Sequence, residues 1–256
     1  MASREKLHKP LSTEMGFATP TQVTVYKRDL IHELLGDAGF VSVFFLGLMG
    51  RDPSPAELRT LDALLVSLME HGQTPSTVVT RLTYWGGPEA LQASVAAGLL
   101  GLGSRIVGSI EDAARMLQEV PVQKESAIPD IARSLVDGIR ERGALVPGVG
   151  HLLHRPVDPR AERLFAIATE EGSFGYFCAL MRAVGAEAER SFDRPLPVNV
   201  TGAVGAIASD LGFPWEITRG LGLISRAAGL VCHIGEEMRD PIAKDIWRLV
   251  EENSAH

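Results

Sequence analysis

The chain has 256 residues, 45% of them apolar and 22% charged, proportions that fit a folded globular protein with a sizeable core and exclude a disordered one. Its formal charge is −7 and its basic residues are scattered, which argues against nucleic acid or an anionic membrane as partner. An anionic small molecule remains compatible, because a few placed arginines can make a local positive site. Cys178 and Cys232 both sit in apolar helical sequence and read as buried free thiols of a reducing compartment.

The first 20 residues hold no apolar stretch of signal-peptide length, and the longest apolar run, Phe40 to Met49, is too short to span a bilayer. The expectation is a soluble cytoplasmic protein. Residues before about Val25 read as an extended arm, and Val23 to Tyr26 is the one hint of a strand. Ser54 with Glu57 three residues on forms a capping box, and Pro55 suits the first helical position. Leu58, Leu61, Leu65 and Leu68 then recur at helical spacing until Gly72 stops the run. His71, at the end of that helix, reads either as a charge favoured by the helix dipole or as a working residue in the polar break EHGQTPST (Glu70 to Thr77).

A small-residue-rich segment opening at Pro88 predicts a helix packed closely on its neighbours, and two shorter amphipathic pieces follow, SIEDAARMLQEV and IPDIARSLVDGIRERG. Asp158 caps a helix with Pro159 at its first position and Gly172 as its stop. Further helical segments are FGYFCALMRAVGAEAERSF, VTGAVGAIASDLGF and PWEITRGLGLISRAAGLVCHIGEEM, several of them apolar on more than one face, as subunit-interface helices are. There is no internal repeat. The chain reads as all-α.

Three features could carry chemistry. The block PGVGHLLHRPVDPR, Pro147 to Arg160, sets glycines ahead of His151; such a loop can approach a ligand closely, or be a plain turn with an exposed histidine. Arg226 lies in the most apolar helix of the C-terminal half and needs an anionic partner, either an acidic side chain or a bound carboxylate. His71 is the third. Phosphate-loop and dinucleotide signatures are absent, and no histidine, cysteine or carboxylate cluster has metal-ligand spacing.

In their order along the chain these landmarks resemble the citrate synthase superfamily, in particular its short citryl-CoA-lyase-like bacterial members. The resemblance runs from about Tyr26 to Trp247 through Glu70–Thr77, the Ala-Ala-Gly helix leading to Ser104–Glu111, Pro147–Arg160, Asn199–Ala203, Leu211–Pro214 and Ser225–Gly229. It implies an all-helical homodimer, with a large domain at 1–109 and 205–256 and a smaller mobile domain at 110–204. It also implies making or breaking a carbon–carbon bond between an acyl-CoA and a keto acid. On this resemblance His71 and His151 take the catalytic positions, with His151 polarising a substrate oxygen, and Arg160 and Arg226 clamp carboxylates. Asn199, Thr201, Ser104, Arg105, Ile106 and His154 join them as candidate substrate-binding residues. Pro147, Gly148, Val149, Gly150 and Leu152 would approach coenzyme A, which would enter as part of the substrate; no tightly bound cofactor and no metal are expected.

Two positions depart from the family pattern. Ile106 stands where the family has the histidine that stabilises the acyl-CoA enol, and Thr201 stands where it has the aspartate base. Isoleucine cannot donate a hydrogen bond, and threonine at neutral pH cannot take a proton as a carboxylate does. Neighbouring residues offer no replacement: no histidine lies between Gly72 and Gly150, and no acid between Arg194 and Ser209. Three readings stay open. The chain is a carbon–carbon lyase or acyltransferase with an altered mechanism, with Ser104, Arg105, Ser109, Glu111 or Thr201 in new polar roles; or a catalytically impaired paralogue that binds a carboxylate or a partner subunit; or a hydrolase or decarboxylase on the same scaffold.

Overall fold

The computed structural model describes residues 13–103, 106–151 and 153–254. The chain divides into two compact units, Met1–Leu58 and Arg59–His256, the division falling inside the first long helix.

In the first unit, β1 (Gly16–Ala18), β2 (Val23–Val25) and β3 (Arg28–Asp29) form an antiparallel sheet in that order, with Gly16 opposite Val25 and Val25 opposite Arg28. The predicted strand at Val23 is present. Part of the expected extended arm is nevertheless sheet, because β1 gains its backbone partners from β2 and needs no alternating pattern of its own. Tyr26 and Lys27, with φ of 45° and 66°, make the tight turn between β2 and β3. The run Phe40–Met49, too uniformly apolar to show a helical period, is helix α1.

Helix α2 (Pro55–Met69) opens on the predicted capping box: Ser54 N donates to Glu57 Oε2 at 2.8 Å, and Glu57 N donates to Ser54 Oγ at 3.2 Å. In the second unit it is followed by α3 (Pro75–Gly86), α4 (Leu91–Leu100), α5 (Ser109–Gln118), α6 (Ile128–Glu141), α7 (Pro159–Glu170), α8 (Tyr176–Phe192), α9 (Val200–Asp210), α10 (Trp215–Glu237) and α11 (Ala243–Ser254). Helix α3 is a surprise of the fold. Its run of Thr77, Val78, Val79 and Thr80 is β-branched, which masks a helical signal. The small residues of α4 do serve close packing: a Cβ on Gly98 would fall 2.0 Å from Thr80 Oγ1 and 2.7 Å from Leu230 Cδ1.

Helix α9 is the centre of this unit, buried from Val200 to Ser209 but for Thr201, and packed on α5, α7 and α8. Helix α10 packs on α3, α4 and α5. Cys178 is buried as expected, but Cys232 is exposed, because α10 turns His233 and Glu237 inward and Cys232 outward. Among the described residues no helix is long and apolar enough to cross a membrane.

Candidate active site

A cavity of about 460 Å³ opens in the second unit between α2, α3, α10, the starts of α5 and α9, and the loop before α7. Nine of the residues singled out from sequence line it: His71, Ile106, Ser109, Gly150, His151, Arg160, Asn199, Thr201 and Arg226. Ser104, Arg105 and Leu152 lie outside the described residues.

Histidines 71, 151 and 154, far apart in sequence, share one corner, with ring nitrogens within 4.8 Å of one another. Sequence spacing gives no sign of this cluster. Arg160 shares the corner, its Nη1 lying 3.5 Å from His71 Nδ1 and its Nη2 3.3 Å from His151 Nε2. A metal cation here would face a guanidinium, so the arrangement suits an anion. Burial, and after it the Arg160 charge, pushes the His71 imidazole below its usual range; burial, His154 and Arg160 do the same to His151.

The tautomer of His151 follows from its neighbours. Its Nδ1 accepts from the backbone N–H of Leu153 at 3.1 Å and of His154 at 3.0 Å, so the neutral ring carries its proton on Nε2. Nε2–H and the Arg160 guanidinium are then two donors aimed into the same space.

Arg160 is held by Asp158, which had read as only a helix cap. Asp158 is fully buried; its Oδ1 accepts from Arg160 N and Nε, and its Oδ2 accepts from Arg160 Nη2 at 2.9 Å and from Val200 N at 3.0 Å. Burial raises the Asp158 pKa, but the bonds and charge of Arg160 outweigh it and leave the carboxylate ionised. One buried carboxylate thus fixes both the clamp and its position against α9.

Arg226 has no such partner. Only 7% exposed, it leaves Nε and Nη1 without a hydrogen bond among the described residues, and burial lowers its pKa. Its nearest anion, Glu70, is engaged elsewhere: Oε1 accepts from His71 N at 2.9 Å and from Gly72 N, and Oε2 accepts from His233 Nε2 at 2.8 Å. Behind it Arg81, 1% exposed, donates to His233 Nδ1 at 2.9 Å and to Glu237 Oε2 at 2.8 Å, and also bonds Glu236. The Arg81 bond makes His233 Nδ1 the acceptor and Nε2 the donor. A buried chain from α3 and α10 therefore fixes the loop that carries His71. His71 itself lies beyond the end of α2 at Met69, so it is a loop residue and not a helix-ending one. Glu70, His233 and Arg81 escaped sequence reasoning because their link spans 163 positions.

The glycine loop is a bracket on α9. Gly150 N donates to Pro197 O at 2.7 Å, Asn199 N donates to Gly148 O at 2.9 Å, and a Cβ on Gly148 (φ 74°) would fall 2.5 Å from Gly202 Cα. Gly148 is thus required by its contact with α9, whereas Pro147, Val149 and Gly150 keep some exposure. Asn199 is spent within the fold: Oδ1 caps α9 through Thr201 N and Gly202 N, and Nδ2 donates to Gly150 O at 2.7 Å. Thr201 Oγ1 donates to Asn199 Oδ1 at 2.6 Å and accepts from Ser109 Oγ at 3.0 Å. Ile106 and Val107 line the same cavity. Glu111, by contrast, pairs with Arg219 at 2.8 Å.

Comparison with known proteins agrees with this geometry. The family model for the citrate synthase C-terminal domain matches residues 17–249. The glyoxysomal citrate synthase of Cucurbita maxima is 31% identical over 209 residues, covering 78% of this chain and 39% of that protein. Citryl-CoA lyase from Hydrogenobacter thermophilus superposes with a TM-score of 0.81 at 32% identity, covering 91% of this chain and 88% of that one. ATP citrate lyase from Methanothrix soehngenii, solved with citrate and coenzyme A, shares the fold at a TM-score of 0.73 and 21% identity, over 90% of this chain and 39% of that one. The chain spans less than two thirds of the length of the curated relatives it matches, 63% in one alignment and 39% in another. Its matched domain, from β1 to α11, makes this chain a member of the citrate synthase family.

Proposed function

We propose that the chain is a citryl-CoA-lyase-like enzyme that makes or breaks a carbon–carbon bond in an anionic hydroxy or keto acid or its CoA thioester, without the family's usual histidine and aspartate. The observation that carries this reading is the unpaired, buried guanidinium of Arg226 in a cavity where His151 Nε2–H and Arg160 also converge. Arg226 and Arg160 hold carboxylate oxygens, and His151 donates to the carbonyl or hydroxyl oxygen where negative charge develops. The proton leaving a substrate hydroxyl goes to His71, since His151 holds its proton on Nε2 and the carboxylate oxygens of Glu70 are already engaged by backbone amides and His233. Coenzyme A enters as cosubstrate along the loop Pro147 to Gly150. The protein works as a cytoplasmic homodimer whose smaller domain, 110–204, closes over the ligands.

A second reading, a carboxylate-binding paralogue without turnover, is favoured by the Asn199–Thr201–Ser109 chain, which leaves Thr201 Oγ1 occupied where a base would stand. Citryl-CoA turnover separates the two. The enzyme reading expects cleavage by the native chain that falls at least a hundredfold in His151→Ala. Turnover only after Ile106→His with Thr201→Asp supports the binding reading. A thermal-shift series with citrate, oxaloacetate, coenzyme A and acetyl-CoA that moves with none of the four overturns both.

A further inference from the structure

We infer that Ser109 selects a ligand carrying a hydroxyl at the wall built by the starts of α5 and α9, a hydroxyl separate from the one that gives its proton to His71. The inference rests on the functional reading above and names a specificity-determining residue of that same site.

The direction of the hydrogen bonds on this wall follows by elimination. Asn199 Oδ1 accepts from Thr201 N at 3.0 Å and from Gly202 N at 3.1 Å, while Nδ2 donates to Gly150 O at 2.7 Å, so the amide has one orientation. An amide oxygen cannot donate. The 2.6 Å bond between Thr201 Oγ1 and Asn199 Oδ1 therefore uses the hydroxyl hydrogen of Thr201. Thr201 has none left for Ser109, so the 3.0 Å bond between the two hydroxyls uses the hydrogen of Ser109. Both hydrogens are spent inside the fold. What Ser109, half-buried and lining the cavity, offers a ligand is lone pairs.

This acceptor stands apart from the carboxylate corner. Val107 and Ile110, on either side of Ser109 in the chain, pack against α10 at Gly222, where a Cβ would fall 2.4 Å from Val107 Cγ1 and 3.3 Å from Ile110 Cδ1. Gly222 precedes Arg226 by four residues, about 6 Å along the helix axis. The carboxylate at Arg226 and the group that meets Ser109 are therefore different parts of the ligand. A carbonyl oxygen at Ser109 would face lone pairs, and a C–H group would displace water and leave the serine oxygen unbonded. A hydroxyl donates and fits. A serine oxygen accepts this bond without removing the proton, as a carboxylate base would.

Calorimetric titration of the full chain with two sets of ligands tests this and tells apart the two places such a hydroxyl can sit. On the acid, tartrate carries one hydroxyl more than malate. On the acyl group, glycolyl-CoA carries a hydroxyl where acetyl-CoA has hydrogen and fluoroacetyl-CoA has an acceptor without a donor. In one of the sets the added hydroxyl should tighten binding about tenfold. Fluoroacetyl-CoA should bind no more tightly than acetyl-CoA, and Ser109→Ala should erase the gain from the hydroxyl. No gain in either set, an equal gain from fluorine, or a gain that survives Ser109→Ala overturns the inference and leaves the functional reading intact. Binding of none of the five overturns both.

Discussion

Nη2 of Arg160 lies 3.3 Å from Nε2 of His151, and both atoms are donors. Backbone amides occupy the far nitrogen of the ring, so no tautomer of the neutral histidine lets the pair bond each other. Two donors set this close call for a common acceptor, and an anionic oxygen satisfies both. The empty-handed Arg226 across the same cavity makes a second such demand.

A pH dependence follows. His71 and His151 both titrate below the ordinary 6.5 in the free protein, mainly because they are buried. A bound anion favours the charged form of His71 and raises its pKa, whereas the Nδ1 of His151 is held as an acceptor by two backbone N–H groups. Affinity for an oxo acid that stays ionised should therefore rise as pH falls from neutrality through the bound-state pKa and level off below the free-state one; calorimetry across that range reads it. Stability of the ligand-free protein moves the other way. The folded pKa values are depressed, so the unfolded chain takes up protons first, and stability present above 6.5 is lost as pH falls.

Replacing Arg226 by Met should raise the melting temperature while abolishing acid binding. The guanidinium is buried with two unmatched donors, a burden of about 1–3 kcal/mol in the unliganded fold. Parallel thermal melts with and without ligand check both halves of this expectation: the variant melts higher when empty, and added acid no longer shifts it.

Asp158→Asn should be costly twice over. The change removes the buried counter-charge of Arg160, whose own side chain is partly exposed, which should destabilise the fold by about 1–3 kcal/mol in urea titration. Binding should weaken too, because the guanidinium loses its fixed orientation. An unchanged urea midpoint would contradict a stabilising role for the Asp158 carboxylate.

His233 is a positioning residue for His71, acting through Glu70. In His233→Ala the His71 ring resonance should shift and its titration move, even without ligand. His233→Gln, which can donate to Glu70 and accept from Arg81, should restore both. A purely structural role would change stability alike in both variants and leave the His71 titration alone.

Much of this was legible in the sequence, because local chemistry writes local structure. Ser54 and Glu57 announce α2, Asp158 and Pro159 announce α7, and the ordered landmarks from Glu70 to Gly229 point to the family. Helix α3 was hidden by its β-branched run, and α1 by its uniform apolarity. The site's supports were harder still. Asp158 holds Arg160 and Val200 with one side chain, and its cap signal tells only a third of that story. The meeting of His71 with His151 and His154 depends on packing across 79 residues of intervening chain, which no short-range pattern encodes. Ile106 and Thr201 were read from sequence as departures; the structure adds that they line one cavity with Val107, and that Thr201 belongs to a bonded hydroxyl pair.

The central claim is that Arg226 with the His151–Arg160 pair forms a carboxylate site. Its most direct test is calorimetric titration of citrate and oxaloacetate into the native chain and into Arg226→Gln. The account predicts binding by the native chain and at least tenfold weaker binding of both acids by the variant. Equal affinities in the two proteins would contradict it.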